Sequence, residues 1–255
     1  MLEGGGRRYF AKTNDRSAFD GFAAEADGLA ALAAAGARVP APLCRGQADE
    51  HAFLVLEHLD LRGNGDYAAL GRSLAAVHSV HGETFGWHRD NYIGRTVQLN
   101  RRSASWSDFW RETRLGPQLE LARKNRLGRD LVGKGERLAE ALPRLLSRHA
   151  PAASLLHGDL WSGNSGFLAD GTPVLFDPAV YWGDREADLA MTELFGGFPQ
   201  DFYSAYAKAA PLAPGYAVRK TLYNLYHVLK HANLFGGGYA AQAKAMIERL
   251  LAQVR

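Results

Sequence analysis

Three polar side chains crowd a short stretch of this 255-residue chain: Asp159, Asn164 and Asp177, within LLHGDLWSGNSGFLADGTPVLFDPAVYWGDREADLA (residues 155–190). Unpaired buried carboxylates are costly, and two near each other demand a cation or a shared proton. Carboxylate and amide oxygens suit a hard cation such as Mg2+, which keeps waters and leans on phosphate oxygens. The residues between them explain how they meet. SGFLA-DG-TPVLF reads as two short apolar strands around Asp170-Gly171, a strong hairpin signal. A hairpin brings its ends together. Asp159 to Asn164, before its first strand, therefore meet Asp177, after its second.

The spacing H-x-D-L-x-x-x-N, with a later Asp after a strand, resembles a phosphoryl-transfer template. In that template the loop Asp is the base, the Asn is a metal ligand and the later Asp is the main metal carboxylate. His157-Gly158-Asp159-Leu160, Asn164 and Asp177 fill it. Gly158 replaces the arginine of protein kinases, and Pro178-Ala179 replaces their Phe-Gly after the metal Asp. Both differences lead toward small-molecule kinases of the same fold. Such a site also needs a strand lysine for the α- and β-phosphates and a helix glutamate to hold it. Lys12 ends the stretch RYFAK. Glu25 lies three residues after Phe22 and four before Leu29, on an apolar stripe that a surface glutamate avoids. Lys12 is its natural partner.

These side chains need elements to hold them. Residues 8–12 read as a strand, and 18–35 as a helix with the stripe Phe19, Phe22, Ala26, Leu29, Leu32, ended by Gly36. RVPAPL reads as an extended connector, and residues 52–59 as a buried strand running into a turn. Helices are expected over 66–80, 107–124, 133–150 and from about 185 to the end, while 88–105 is polar and irregular. The fold class is α+β, with a small lobe over 1–61, a helical lobe over 62–255, and a ligand crevice between them. Composition, 47% apolar and 22% charged, fits a globular chain. Net charge is only +3, and the pairs Arg7-Arg8 and Arg101-Arg102 read as solvated surface, so no nucleic-acid partner is expected. Cys44 is the single cysteine, which precludes an intrachain disulfide; it reads as a buried thiol suited to a reducing cytoplasm. MLEGGGRRYFAK lacks the apolar core of a signal peptide, and no run approaches the roughly 18 apolar residues of a membrane span.

With these pieces in hand, HGDLWSGN followed by FDPAVYWGDREADLAMTELFGGFPQDFYSAY resembles the fructosamine-3-kinase (ketosamine-3-kinase) family, relatives of aminoglycoside phosphotransferases. YFAKTN, AFDGFAAEADGLAAL, FLVLEHL, FGWHRDNYIG with QLN, and RLGPQL are similar to that family too, so the resemblance covers nearly the whole chain. It implies a protein-kinase-like two-lobe fold and ATP-dependent phosphorylation of the 3-hydroxyl of a ketoamine, the adduct of glucose or ribose with an amine. The substrate would be a small ketoamine or a glycated protein lysine, and the phosphorylated adduct would fall apart, a deglycation repair. The resemblance implies Asp159 as base, Asn164 and Asp177 on Mg2+, Lys12 on the phosphates and Glu25 positioning Lys12. Glu57 and Leu59, at the lobe connector, would offer backbone groups to adenine, and Asp188 would brace the catalytic loop. Trp182 and Asp184 follow the metal Asp closely enough to line the acceptor side, with Gln98 and Asn100 as further candidates. Trp87, Trp106 and Trp110 read as packing, and His78 as a satisfied helix histidine.

The family sets a strand, a glycine-rich loop and a second strand before the lysine strand. Here Lys12 is twelve residues from the start, and Gly4-Gly5-Gly6 read as the hairpin turn entering its strand. The first strand and the phosphate-covering loop are therefore expected to be missing, which would weaken ATP binding and expose a sheet edge. The matching expectation is that Met1 is an internal start. Three other readings stand beside the leading one. They are an aminoglycoside- or choline-like phosphotransferase, a kinase-fold nucleotide-binding protein with impaired catalysis, and a metal-dependent hydrolase built on His157, Asp159 and Asp177. The last would want more histidine ligands or a second metal cluster, and the remaining histidines form no such pattern.

Overall fold

The computed structural model describes residues 1–254. Strands β1 (Leu2–Gly4), β2 (Arg7–Asp15), β3 (Pro42–Ala48) and β4 (His51–Glu57) form an antiparallel sheet of order β1-β2-β4-β3. Helix α1 (Phe19–Ala34) packs on one face of it. Alternation along β4 buries Ala52, Leu54 and Leu56 on that face. Lys12 is in register with Leu54, so its side chain leaves β2 toward α1. The sheet thus delivers the lysine to the helix that carries Glu25.

Helix α2 (Tyr67–His78) opens on Asp66, whose Oδ1 accepts from Ala69 N at 2.7 Å. A two-stranded hairpin, β5 (Asn91–Ile93) and β6 (Thr96–Gln98), follows. Next come α3 (Trp106–Trp110), a π-helical turn over Arg111–Leu115, α4 (Gly116–Lys124) and α5 (Arg129–Leu145). Strand β7 (Ser154–Leu156) leads into the loop from His157 to Asn164, and β8 (Ser165–Phe167) pairs with β9 (Pro173–Leu175). Strand β10 (Tyr181–Gly183) returns to pair with β7. Helices α6 (Glu186–Leu194), α7 (Gln200–Ala209), α8 (Tyr216–Phe235) and α9 (Gly238–Ala252) complete the chain. No helix among the described residues is long and apolar enough to cross a membrane.

Two buried clusters hold these elements. One runs from α1 and β4 (Leu29, Leu54) through α2 (Leu70, Leu74) to Phe202 of α7, so it crosses the expected boundary at residue 61. The other joins Trp106, Trp110 and Leu138 to Tyr223 and Leu229 of α8 and Ile247 of α9. Each large apolar side chain so buried is worth about 1.5–3 kcal/mol. Gly71 lets α2 and α7 touch: a Cβ there would lie 2.4 Å from the Phe202 carbonyl oxygen.

Most elements lie where the sequence puts them, but helix α5 (Arg129–Leu145) begins and ends before the expected bounds of 133–150, and four other differences stand out. Strand β2 runs on to Asp15 because β4 pairs with it along its whole length to His51. The expected connector RVPAPL turns into β3 at Pro42, where a first strand residue needs no N–H donor. The polar segment 88–105 is not irregular throughout, for it contains β5 and β6. Cys44 is exposed rather than buried, because β3 is an edge strand with most of its side chains turned outward. Gly5 and Gly6, at φ +57° and +72°, make the expected turn into the lysine strand. Strand β1 pairs with β2 only at Arg7, Arg8 and Tyr9, which leaves the rest of that edge open among the described residues.

Candidate active site

Lys12 Nζ donates to Glu25 Oε1 at 2.7 Å and also bonds Asp177 Oδ1. Burial works against the Lys12 charge, but Glu25 and Asp177 outweigh it and hold the ammonium above its ordinary pKa. Asp177 has φ +54°, a left-handed conformation rare outside glycine, just past the end of β9. That strained turn directs its carboxylate back to Lys12.

The loop from His157 to Asn164 is fixed from beneath by Asp188 of α6. Asp188 Oδ2 accepts from His157 N at 2.7 Å and from His78 Nε2 at 3.1 Å, and Oδ1 accepts from Gly158 N at 2.8 Å. Burial pushes the Asp188 carboxyl up, but His78, His157 and the Gly158 amide together hold it below its ordinary pKa. Gly158 sits at φ +84°, and a Cβ there would lie 2.0 Å from the Ala179 carbonyl oxygen. Here only glycine fits. His157 contacts Phe176 O through Nε2 at 3.0 Å and accepts the Asp159 amide on Nδ1 at 3.3 Å. Both of its nitrogens are spent on backbone and it is fully buried, so it is no ligand for a hydrolytic metal.

Asp159 itself is left underused. Its Oδ1 is buried without a partner, while Oδ2 has only Asn164 Nδ2 at 3.4 Å. Burial raises its pKa against the pull of Lys230 and His157. Asn164 donates Nδ2 to Asp159 O at 2.8 Å, which leaves its Oδ1 as a free acceptor. The hairpin of β8 and β9 closes as its turn signal indicates, and Phe176 N donates to Asn164 O at 3.1 Å. Asn164 and Asp177 line one cavity of about 360 Å³ with Lys12, Glu25 and Asp159. That all-oxygen donor set beside a lysine fits a small hard cation and phosphate.

Two further cavities adjoin this one. A cavity of about 850 Å³ shares Lys12 and Asp177 and runs out past Leu56, Glu57, His58 and Leu59. The Glu57 amide is committed to Ala41 O at 2.8 Å, and its carboxylate pairs with both terminal nitrogens of Arg38 at 2.6 and 2.8 Å. The Leu59 amide makes no hydrogen bond among the described residues, so it is one connector donor open to a ligand. A cavity of about 480 Å³ shares Asp159 and Trp161 and continues to Phe195, Lys230 and His231. The three form a path, with Lys12 and Asp177 at one joint and Asp159 at the other.

Four expected acceptor-side residues lie elsewhere, and their assignment is corrected. Trp182 is a wedge: a Cβ on Gly82 would lie 2.6 Å from its ring, and it packs on Trp87 at 5.4 Å between centroids. Asp184 is buried behind the site, where its Oδ2 accepts from Tyr223 Oη at 2.5 Å and lies 2.5 Å from His149 Nε2. Gln98 is buried and donates to Ala179 O at 3.0 Å and Asn91 Oδ1 at 2.9 Å. Asn100 Oδ1 accepts from Arg114 at 3.0 Å. Gln98, with Asn91 on Val180 O at 2.7 Å, holds the chain just after Asp177. Trp106 and Trp110 are core, Trp87 donates to Asp27 at 2.7 Å, and His78 is satisfied by Tyr206 and Asp188. Trp161, Lys230 and His231 were missed. Lys230 carried a legible signal: it is a lysine on α8 among Tyr226, Leu229 and Leu234, the same anomaly that singles out Glu25.

Residues 1–253 match the model of the family described as fructosamine kinase. A probable ketoamine kinase of Synechocystis sp. is 49% identical over 98% of this chain and 85% of its own length. A chloroplastic protein-ribulosamine 3-kinase of Arabidopsis thaliana is 40% identical over 97% of this chain and 77% of its own length. The crystal structure of a Haemophilus somnus protein assigned as a fructosamine-3-kinase matches with TM-score 0.86 at 34% identity, over 95% of this chain and 83% of that one. A choline kinase of Streptococcus pneumoniae shares the fold alone, with TM-score 0.63 at 14% identity over 98% of this chain and 88% of that one. The fold is α+β and protein-kinase-like.

Proposed function

The chain belongs to the fructosamine kinase family, and from that premise we propose that it is an ATP-dependent phosphotransferase acting on the 3-hydroxyl of ketosamines. The observation that carries this reading is the path of three cavities joined at Lys12–Asp177 and at Asp159. A nucleotide in the first, its phosphates at the first joint and an acceptor in the last would bring the γ-phosphate to Asp159.

In this reading the bare Oδ1 of Asp159 orients the 3-hydroxyl and takes its proton. The hydroxyl oxygen bonds to the γ-phosphorus, the bond to the β–γ bridging oxygen breaks, and ADP leaves. Asp188 keeps the loop still through the amides of His157 and Gly158, so Asp159 arrives pre-positioned. Lys12 turns from Asp177 to the α- and β-phosphates while Glu25 keeps hold of it. Asn164 and Asp177 would hold Mg2+, which would neutralise phosphate charge. Adenine would meet the connector at Glu57 and Leu59, with the Leu59 amide as donor. Trp161, at the cavity wall beside Asp159, offers a ring face to the sugar.

Fructosamines and ribulosamines are the proposed acceptors, free or on protein lysines, and their phosphorylation would serve deglycation in a reducing cytoplasm. Residues 1–61 and 62–255 are proposed to act as two lobes that close on the nucleotide. The test is turnover of ATP and Mg2+ with a ribose- or glucose-derived ketoamine of lysine, beside Asp159→Asn. ATP-dependent phosphorylation that disappears in Asp159→Asn is the expected result. Nucleotide binding without phosphorylation of any ketoamine would refute the reading.

A further inference from the structure

The cavity on the acceptor side of Asp159 has a charge balance that the proposed reaction does not explain. Its ionisable side chains are Asp159, Arg95, Lys230 and His231. Asp159 is committed to the reacting hydroxyl. Lys230 is only 5% exposed, yet among the described residues no acid lies within ion-pair distance of it and no acceptor takes a hydrogen bond from it. Burial draws its pKa below the ordinary lysine value, and Asp159 is the one charged group that opposes this. Leaving a buried ammonium without a direct partner is costly. An apolar side chain on this buried face of α8 would avoid that cost.

The surroundings repeat the pattern. Arg95 stands at the tip of the β5–β6 hairpin, exposed and without an ion pair or hydrogen bond among the described residues. His231 spends Nδ1 on His227 O at 2.8 Å, and burial with Lys230 nearby holds it below its ordinary pKa, so it adds little charge. His227, one turn before it, has a buried Nδ1 with no partner. Two cations therefore converge on a cavity whose single carboxylate is already in use. The rest of the wall, including Ile93, Trp161 and Phe195, is apolar and strengthens any charge interaction made there.

We propose that this cavity selects ketosamines that carry an anionic group, held between Lys230 and Arg95. The inference rests on the kinase reading and specifies its substrate class. Lys230 supplies a point charge from the wall and Arg95 a planar fork from the rim, a combination suited to carboxylate or phosphate oxygens. Two sources share that chemistry. One is the carboxylate of a glycated free amino acid, and the other is a phosphate on the sugar of the adduct.

The experiment compares kcat/KM for three substrates of nearly one shape: ribulosyl-glycine, its neutral amide, and that amide carrying a 5-phosphate. A charge-assisted contact is worth about tenfold or more. Wild type is expected to prefer at least one anionic substrate over the neutral amide by about tenfold. Which one it prefers identifies the source. Lys230→Met should shrink that preference to about twofold, and Arg95→Gln should reduce it partway. Equal kcat/KM for all three in wild type, or a preference that survives both substitutions, overturns the proposal. The wild-type comparison needs no variant to fold. Failure to phosphorylate any of the three would bring down the kinase reading and this inference together, whereas turnover without preference brings down the inference alone.

Discussion

Two lysines line the cavities on either side of Asp159, and the fold treats them differently. Lys12, on the proposed nucleotide side, binds two carboxylates, and its charge is reinforced. Lys230, on the proposed acceptor side, pairs with none among the described residues, and its charge is discouraged. In the proposed reading the first would trade one partner for phosphate, and the second would be satisfied by a ligand. Asp159 lies between them, and the same contrast separates it from Asp188. Asp188 uses both oxygens on three donors, while Asp159 keeps one oxygen bare. A fully bonded acid holds structure in place, and an underused one is available for chemistry.

The largest expected effect is at the bare acid. Asp159→Asn should lower kcat by about 10²–10⁴-fold, the usual worth of a general base, with the thermal unfolding midpoint close to wild type. A variant that keeps more than a tenth of wild-type kcat would erase the distinction between the two aspartates. Next comes the satisfied lysine. Lys12→Met should raise the KM for ATP and lower kcat by about 10²-fold, as expected for lost electrostatic stabilisation of the transferring group. Steady-state kinetics at varied ATP would register it.

The structural acid should answer differently. Asp188→Asn sets an amide donor against the backbone N–H groups of the loop and should cost about 2–3 kcal/mol of stability in chemical denaturation. The pH dependence has a definite sign. The folded pKa of Asp188 is depressed, so its contribution is fully present above the unfolded value, near about 3.9, and is lost as pH falls through the folded one. The stability gap between wild type and Asp188→Asn should be full at pH 7 and close only in strong acid. A gap that is constant down to low pH would contradict the assignment. The smallest effect is expected behind the site. Asp184→Asn should leave the KM for a ketosamine within about twofold of wild type, because Asp184 faces Tyr223 and His149 rather than the acceptor cavity.

The grouping of residues around Lys12 is more legible in the sequence than the cavity around Lys230, for a physical reason. Lys12, Glu25, Asn164 and Asp177 are brought together by local devices with sequence signatures: a strand, an amphipathic helix and a hairpin turned at Asp170-Gly171. Asp188 as the brace of the loop from His157 to Asn164 comes from the family resemblance, and its contacts to the His157 and Gly158 amides bear it out as a structural contact. The acceptor cavity is assembled from β5–β6, the loop after β7, α6 and α8, far apart in the chain, and no spacing rule joins them. Trp182 and Asp184 are near Asp177 in sequence, but β10 takes Trp182 into pairing with β7, and Asp184 just after it meets Tyr223 and His149. Gln98 and Asn100 fall in a polar segment without a periodic signal, whereas β6 turns Gln98 inward to hold the backbone and Asn100, just beyond it, accepts from Arg114. Residue type alone makes Cys44 a buried thiol, but the edge position of β3 exposes it.

The most direct measurement is paired on one sample of Asp159→Asn: calorimetric titration with Mg2+ and ATP, and ketoamine phosphorylation followed by phosphorus NMR. The expected result is nucleotide affinity within about threefold of wild type together with ketoamine phosphorylation slowed by at least about 10²-fold, as the proposed division of roles requires, with Lys12 and Asp177 binding and Asp159 acting. Phosphorylated product at a rate near wild type would contradict the role of Asp159 as the base and, with it, the division between the two sides of the site.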